Sequence, residues 1–170
     1  MKLIGKGAFT KAYLTEDNKV FLRTVDPIKE CMAYGWFPEC YLFPTVELTD
    51  EIGEYTMEYY PKVSSIKNNV SPRQWRLYQA LRKLDYYTGR NPNMMQDHWH
   101  KQFDSLPSEF RKEKEMLKHA LDACANYGSD VCFEISPRNI ATKGNKLVLL
   151  DCFFMSSKLN EVRWGSLRVA

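Results

Sequence analysis

Long apolar runs are missing from this sequence. No segment approaches the ~18 consecutive apolar residues of a membrane-spanning helix, and the opening Met1-Lys2-Leu3-Ile4-Gly5 lacks the apolar core of a secretory leader. An excess of either charge is missing too. The 24 Lys and Arg stand against 21 Asp and Glu, a net +3, and no block of five like charges occurs. That balance excludes the electrostatic footprint of a nucleic-acid or membrane-surface protein. The expected location is the cytoplasm. Five cysteines (Cys31, Cys40, Cys124, Cys132 and Cys152) form an odd set without C-x-x-C spacing, several in apolar surroundings, so reduced, buried thiols are expected instead of disulfides or zinc. Histidine is scarce as well. His98 and His100, two apart, do not share a helical face, and with His119 they give no metal pattern.

A hydrophobic fraction of 44% and an aromatic fraction of 14% are what a chain of 170 residues needs to fold, with length pointing to one domain. The first stretch reads as three strands, Lys2-Leu3-Ile4, Ala12-Tyr13-Leu14 and Val20 to Val25, separated by turns. Asp26-Pro27 forms a helix start, with a short helix from Ile28 to Tyr34 closed at Gly35. Tyr41 to Glu47 and Glu54 to Tyr60 are further strand candidates. From Ser71-Pro72 the periodicity predicts a helix to Tyr87, then loop and a short helix over Thr88 to Pro107, then the longest helix from Ser108 to Gly128. Ile140-Ala141-Thr142 and Lys146 to Leu150 read as strands about a glycine turn, and Asp151 opens a tail in which Arg163, Trp164 and Arg168 are available to pack or to dock. The fold class is α+β.

Two segments carry candidate chemistry. Gly5-Lys6-Gly7-Ala8-Phe9-Thr10-Lys11-Ala12 lies between strands, where glycines let backbone N–H groups approach a phosphate, although a plain hairpin turn explains the same residues. Glu134-Ile135-Ser136-Pro137-Arg138-Asn139 and Asp151 flank the late hairpin. An acid, an amide and an acid at strand ends can converge as oxygen ligands for Mg²⁺ with one carboxylate left to orient a hydroxyl.

Together these segments resemble the protein kinase superfamily. The first is similar to the kinase glycine-rich loop with Thr10 in place of the third glycine, Val20-Phe21-Leu22-Arg23 to the V-A-I-K strand, and Tyr55 to Pro61 to the strand and hinge that contact adenine. Glu134 to Asn139 resembles the catalytic loop from its acid onward, and Asp151-Cys152-Phe153 stands where D-F-G is expected. With no A-P-E motif after Asp151, the chain looks most like the small early protein kinases of T-seven-type lytic bacteriophages. The resemblance implies a two-lobed fold, with a small antiparallel sheet over residues 1–62 and a reduced, mainly helical lobe over 63–170.

It implies ATP and Mg²⁺ as cofactors and a host-protein Ser or Thr hydroxyl as acceptor. Asn139 and Asp151 would hold the metal, Glu134 would orient the acceptor, and Arg23 paired with Glu30 would hold the phosphates. Gly5, Lys6, Gly7, Ala8, Phe9, Thr10 and Ala12 would cover the nucleotide, and Met57, Glu58, Tyr59 and Tyr60 would contact its base. Departures weigh against turnover. Arg23 replaces the phosphate-pairing Lys, Glu134 is one methylene longer than the catalytic Asp, Cys132-Phe133 replaces His-Arg, and Ser136 replaces a lysine. Two alternatives therefore stand beside the kinase: an inactive pseudokinase that binds and inhibits a host or phage protein, and a small-molecule kinase of the aminoglycoside or choline type. Apolar surface left by the shortened lobe favours a homodimer or a host complex.

Overall fold

The computed structural model describes residues 1–165; Arg168 lies outside them. The N-terminal part is an antiparallel sheet of strands β1 (Lys2–Lys6), β2 (Thr10–Leu14), β3 (Lys19–Thr24), β4 (Val46–Leu48) and β5 (Glu54–Glu58), in the order β1-β2-β3-β5-β4. Alternation sets its faces. On β3, Val20, Leu22 and Thr24 are buried while Lys19 and Arg23 are exposed, so successive side chains divide between core and solvent. Opposite them on β5, Tyr55 and Met57 are buried and complete the inner face.

Helix α1 (Pro27–Ala33) follows β3 and packs beneath the sheet. The sequence sets both its ends: Asp26 Oδ1 accepts from Ile28 N–H at 3.0 Å, Pro27 occupies the first helical position, and Gly35 at φ +74° ends the helix. The chain then passes through turns and bends to β4, which starts five residues later and ends one residue later than the strand predicted over Tyr41 to Glu47. Tyr41 to Val46 is instead a core-crossing segment, with Leu42, Phe43 and Pro44 buried and Leu42 C=O accepting from Leu149 N–H at 2.8 Å.

The rest is mainly helical: α2 (Ile66–Asn69), α3 (Pro72–Leu81), α4 (Met95–Asp104), α5 (Arg111–Cys124) and α6 (Ser156–Arg163). Ser71 caps α3 through Gln74 N–H at 3.2 Å, as its sequence predicts, but the helix stops six residues before Tyr87. Helix α4 is the short helix expected between Thr88 and Pro107. Its buried Met95, Trp99 and Phe103 repeat at four-residue spacing and anchor an otherwise polar segment.

Two small sheets complete the fold. Strand β6 (Val131–Phe133) pairs antiparallel with β9 (Phe153–Met155), and between them β7 (Ile140–Lys143) and β8 (Lys146–Leu149) form a hairpin. Gly144 and Asn145 turn it with φ of +53° and +59°, the twist such a two-residue turn requires. Phe103, Phe133 and Phe153 meet with ring centroids 5.0 to 6.3 Å apart and join Phe43 in one core that continues to the sheet. This is the expected α+β layout, an antiparallel sheet followed by a helical part. All five cysteines are free thiols, and no described helix is long and apolar enough to cross a membrane.

Candidate functional site

Pairing of β6 with β9 places the ends of two loops side by side. Glu134 N–H donates to Cys152 C=O at 2.8 Å, directly beyond the ladder, so Glu134 and Asp151 emerge next to each other although seventeen positions separate them in sequence. Asn139 closes the arrangement. Its Nδ2 donates to Asp151 C=O at 3.0 Å and its own carbonyl accepts from Leu150 N–H at 2.9 Å. Ser136 Oγ caps the short 3₁₀ turn Pro137–Asn139. The structure thus brings Glu134, Asn139 and Asp151 together.

Arg23 and Glu30 it does not bring together. Parity on β3 turns Arg23 to the outer face, where its Nε donates to Glu54 Oε1 at 2.8 Å and its guanidinium lies 5.7 Å from the Phe21 ring centroid. Glu30 instead accepts from Tyr127 O–H at 3.1 Å. The cation that does reach the site is Lys29, a residue that no sequence motif marks. Its side chain, only 4% exposed, runs from α1 to donate to Leu150 C=O at 2.7 Å and to Asp151 Oδ1 at 3.2 Å. Burial works to lower the Lys29 pKa, but Asp151 and then Asp26 outweigh it and hold the ammonium above its ordinary value. Asp26 bears the opposite strain. Burial first and the charge of Asp151 second push its carboxyl up to about 7, and its Oδ2 has no partner among the described residues.

Among the described residues, the glycine-rich hairpin meets β9 through a single ring contact, that of Phe9 with Phe154. Gly7 N–H donates to Thr10 C=O at 2.8 Å to make the turn, while Lys6 and Ala8 are exposed. Gly5 faces Ala12 across the β1–β2 pair, where a Cβ would meet the Ala12 methyl at an ordinary 3.7 Å. Phe9, 7% exposed, is seated inward against Phe154 with centroids 6.4 Å apart, and its carbonyl accepts from Val25 N–H and Thr24 O–H. Thr10 and Thr24 hydroxyls bond at 2.7 Å. The cavity remaining beside Lys29 and Asp151 is about 10 Å³, room for a single water. At the far edge, Met57 is buried, Tyr59 and Tyr60 are half-buried, and Glu58 is bridged to Lys143 of the hairpin at 2.6 Å.

The donors fit a magnesium ion. Asp151, one-third exposed with Oδ1 on Lys29, supplies a carboxylate, and Asn139, with its amide nitrogen engaged, presents its amide oxygen. Mg²⁺ takes one or two such protein oxygens and completes its shell with phosphate and water. No cluster of three or more His, Cys, Asp or Glu side chains able to hold a metal occurs among the described residues.

The sequence matches no family model and no curated protein. Among solved structures, the chain is similar to APH(2")-IIa in its ternary complex with streptomycin and ATP, with a TM-score of 0.41 and 12% identity over 91% of this chain and 66% of that one. It is similar also to the gentamicin complex of APH(2")-IIa, with a TM-score of 0.40 and 13% identity over the same shares. The chain spans 66% of the length of these proteins.

Proposed function

We propose that the protein is a kinase-like phosphotransferase that uses MgATP and acts on hydroxyl groups. The observation that carries this reading is Lys29, a buried ammonium held against Asp151 where α1 meets the β8–β9 turn. Burying such a cation costs several kcal/mol unless it is paired, and packing alone gives no reason to put it there. Lys29 takes the phosphate-holding role that the sequence assigned to Arg23. Asp151 and Asn139 hold the metal, and Mg²⁺ bound there supplies charge neutralisation for the phosphate oxygens. Glu134, exposed beside them, accepts the hydrogen bond of the acceptor hydroxyl and orients it. Met57 to Tyr60 border the adenine, and the hairpin from Gly5 to Thr10 covers the phosphates. The expected acceptor is a Ser or Thr hydroxyl of a host protein.

One observation favours the pseudokinase reading. The cavity beside Lys29 and Asp151, lined by Ile28, Met32, Phe37, Phe43 and Phe153, is far too small for a nucleotide, so MgATP would have to lie outside it or open it. Thermal unfolding with and without MgATP separates the two. At a hundredfold excess over Kd, binding stabilises by about 2.7 kcal/mol and raises Tm by roughly 5–10 °C in a chain of this size. Asp151→Asn should abolish that shift and Arg23→Ala should leave it. Labelled ATP then reports the acceptor class, protein or small hydroxyl compound. No shift in the wild type, with no label transferred, overturns the phosphotransferase.

A further inference from the structure

Trp99 of α4 is 2% exposed, and its indole Nε1–H has no hydrogen-bond partner among the described residues. A buried N–H left unpaired costs about 1–3 kcal/mol, and the ring is otherwise held by aromatic contacts to Tyr86, Phe103 and Phe133. The same Trp99 lines a cavity of about 30 Å³ together with Phe133, Ile135, Arg82 and Tyr86. Ile135 is the residue after Glu134, so this cavity opens beside the carboxylate assigned to the acceptor. Its rim is also charged. Arg82 forms no ion pair among the described residues and only stacks over the Tyr78 ring at 5.7 Å. Tyr86, 59% exposed, stands edge-on to Trp99 at 6.3 Å. Its phenol is raised by burial first and by the charge of Glu134 second, with Arg82 opposing, so Glu134, Tyr86 and Arg82 share one neighbourhood.

We propose that this cavity is an acceptor subsite, in which Trp99 Nε1–H and Arg82 receive the carboxylate of a hydroxyl-bearing acceptor. The inference rests on the phosphotransferase reading and narrows its substrate to acidic acceptors. Size and chemistry both point there. About 30 Å³ holds two waters or a group of two or three heavy atoms, which excludes an aromatic or sugar ring. Two donors without an acceptor, one of them a full cation, call for an anionic oxygen, and a charge-assisted pair is the strong form of that bond. The loop that carries Arg82 and Tyr86 is fixed for the purpose: Asp85 N–H donates to Gln102 Oε1 at 2.8 Å, and its carbonyl bonds His98 Nε2 at 2.7 Å.

The test is binding of capped dipeptides without nucleotide, followed on the four tryptophan indole ¹H–¹⁵N resonances. Capped Ser-Glu should shift the Trp99 resonance saturably and leave Trp36, Trp75 and Trp164 in place, while capped Ser-Ala should not shift it. Arg82→Ala, on an exposed residue that the fold does not need, should weaken Ser-Glu binding about tenfold, the effect of one charge-assisted contact. An unmoved Trp99 signal, an equal response to Ser-Ala, or a long-lived water on the indole N–H that Ser-Glu does not displace would overturn the subsite. Because no nucleotide is present, such a failure leaves the MgATP reading standing, whereas a Trp99 shift without MgATP stabilisation would leave a carboxylate-binding cavity and overturn its role as an acceptor site.

Discussion

Replacing Arg73 with methionine strands a buried carboxylate. Glu113 on α5 is 2% exposed and receives Arg73 Nη1 at 2.6 Å and Nη2 at 2.9 Å, with Tyr41 O–H completing its shell at 2.5 Å. Gln74 extends the network, donating to Tyr41 Oη at 2.8 Å and accepting from Leu147 N–H at 3.0 Å, so the core-crossing segment, α3, α5 and β8 meet at these side chains. Breaking one partner from a buried pair costs about 3–5 kcal/mol, and the 40% exposure of the Arg73 side chain, which admits water, places this case near the lower end. About 3 kcal/mol corresponds to a fall of roughly 6–12 °C in Tm for a chain of this size. The double variant Arg73→Met/Glu113→Leu removes both charges and should return to within about 1 kcal/mol of wild type, because Tyr41 keeps Gln74 as a partner. Urea unfolding of the four-member cycle measures the coupling.

The pH dependence supplies an independent check. Burial pushes Glu113 up, but the hydrogen bonds from Arg73 and Tyr41 outweigh it and hold the carboxyl below its ordinary 4.5. The stability it contributes is therefore present above that value and lost as pH falls through the lowered one. Without Arg73, burial dominates, so the penalty of Arg73→Met should be largest at pH 7 and shrink toward pH 4. A cost under about 1 kcal/mol for Arg73→Met, together with a greater cost for the double variant, would refute the reasoning.

Three other substitutions test the site and its surroundings. Asp26, raised from 3.8 to about 7, favours the folded state at acid pH and loses that contribution as pH climbs between those values. Asp26→Asn keeps an oxygen for the Ile28 cap and should flatten this slope, worth at most about 3 kcal/mol between pH 5 and pH 7.5, when unfolding is compared at those two values. Phe9→Ala should cost about 3 kcal/mol in urea unfolding, since the ring is buried against Phe154; a cost well under about 1 kcal/mol would mean that this contact does not hold the hairpin. Lys143→Ala breaks an exposed pair, with side chains 61% and 50% accessible, and should leave the urea midpoint essentially unchanged, any small difference vanishing at high salt.

Helix starts were legible because their signals are local. Asp26-Pro27 and Ser71-Pro72 place a side-chain acceptor and a fixed φ next to each other, and both start helices as expected. Strand parity was legible in principle: with Val20 and Leu22 apolar and inward, Arg23 has to point out. The V-A-I-K resemblance conflicts with that alternation, and the alternation holds. Lys29 left no such trace, since a lysine one turn into a helix looks like a solvated one until α1 is packed against the β8–β9 turn. Gly89, Pro92 and Pro107 bracket the short helix expected between Thr88 and Pro107 without fixing its ends, and α4 is held there by three buried side chains in a polar decade. Phe9 looks in sequence like part of a phosphate cover, and only its tertiary contact with Phe154 shows that the ring is seated in the core.

The ladder between β6 and β9 fixes more than a sheet. Since Glu134 is tied to Cys152 through main-chain atoms, the interval between the two acids is a backbone property, indifferent to which acid occupies either end. Exchanging Glu134 for aspartate then retracts a carboxylate by one methylene without moving its anchor. The fold works here as a ruler with interchangeable tips, on which reach can be retuned one substitution at a time while the scale stays constant.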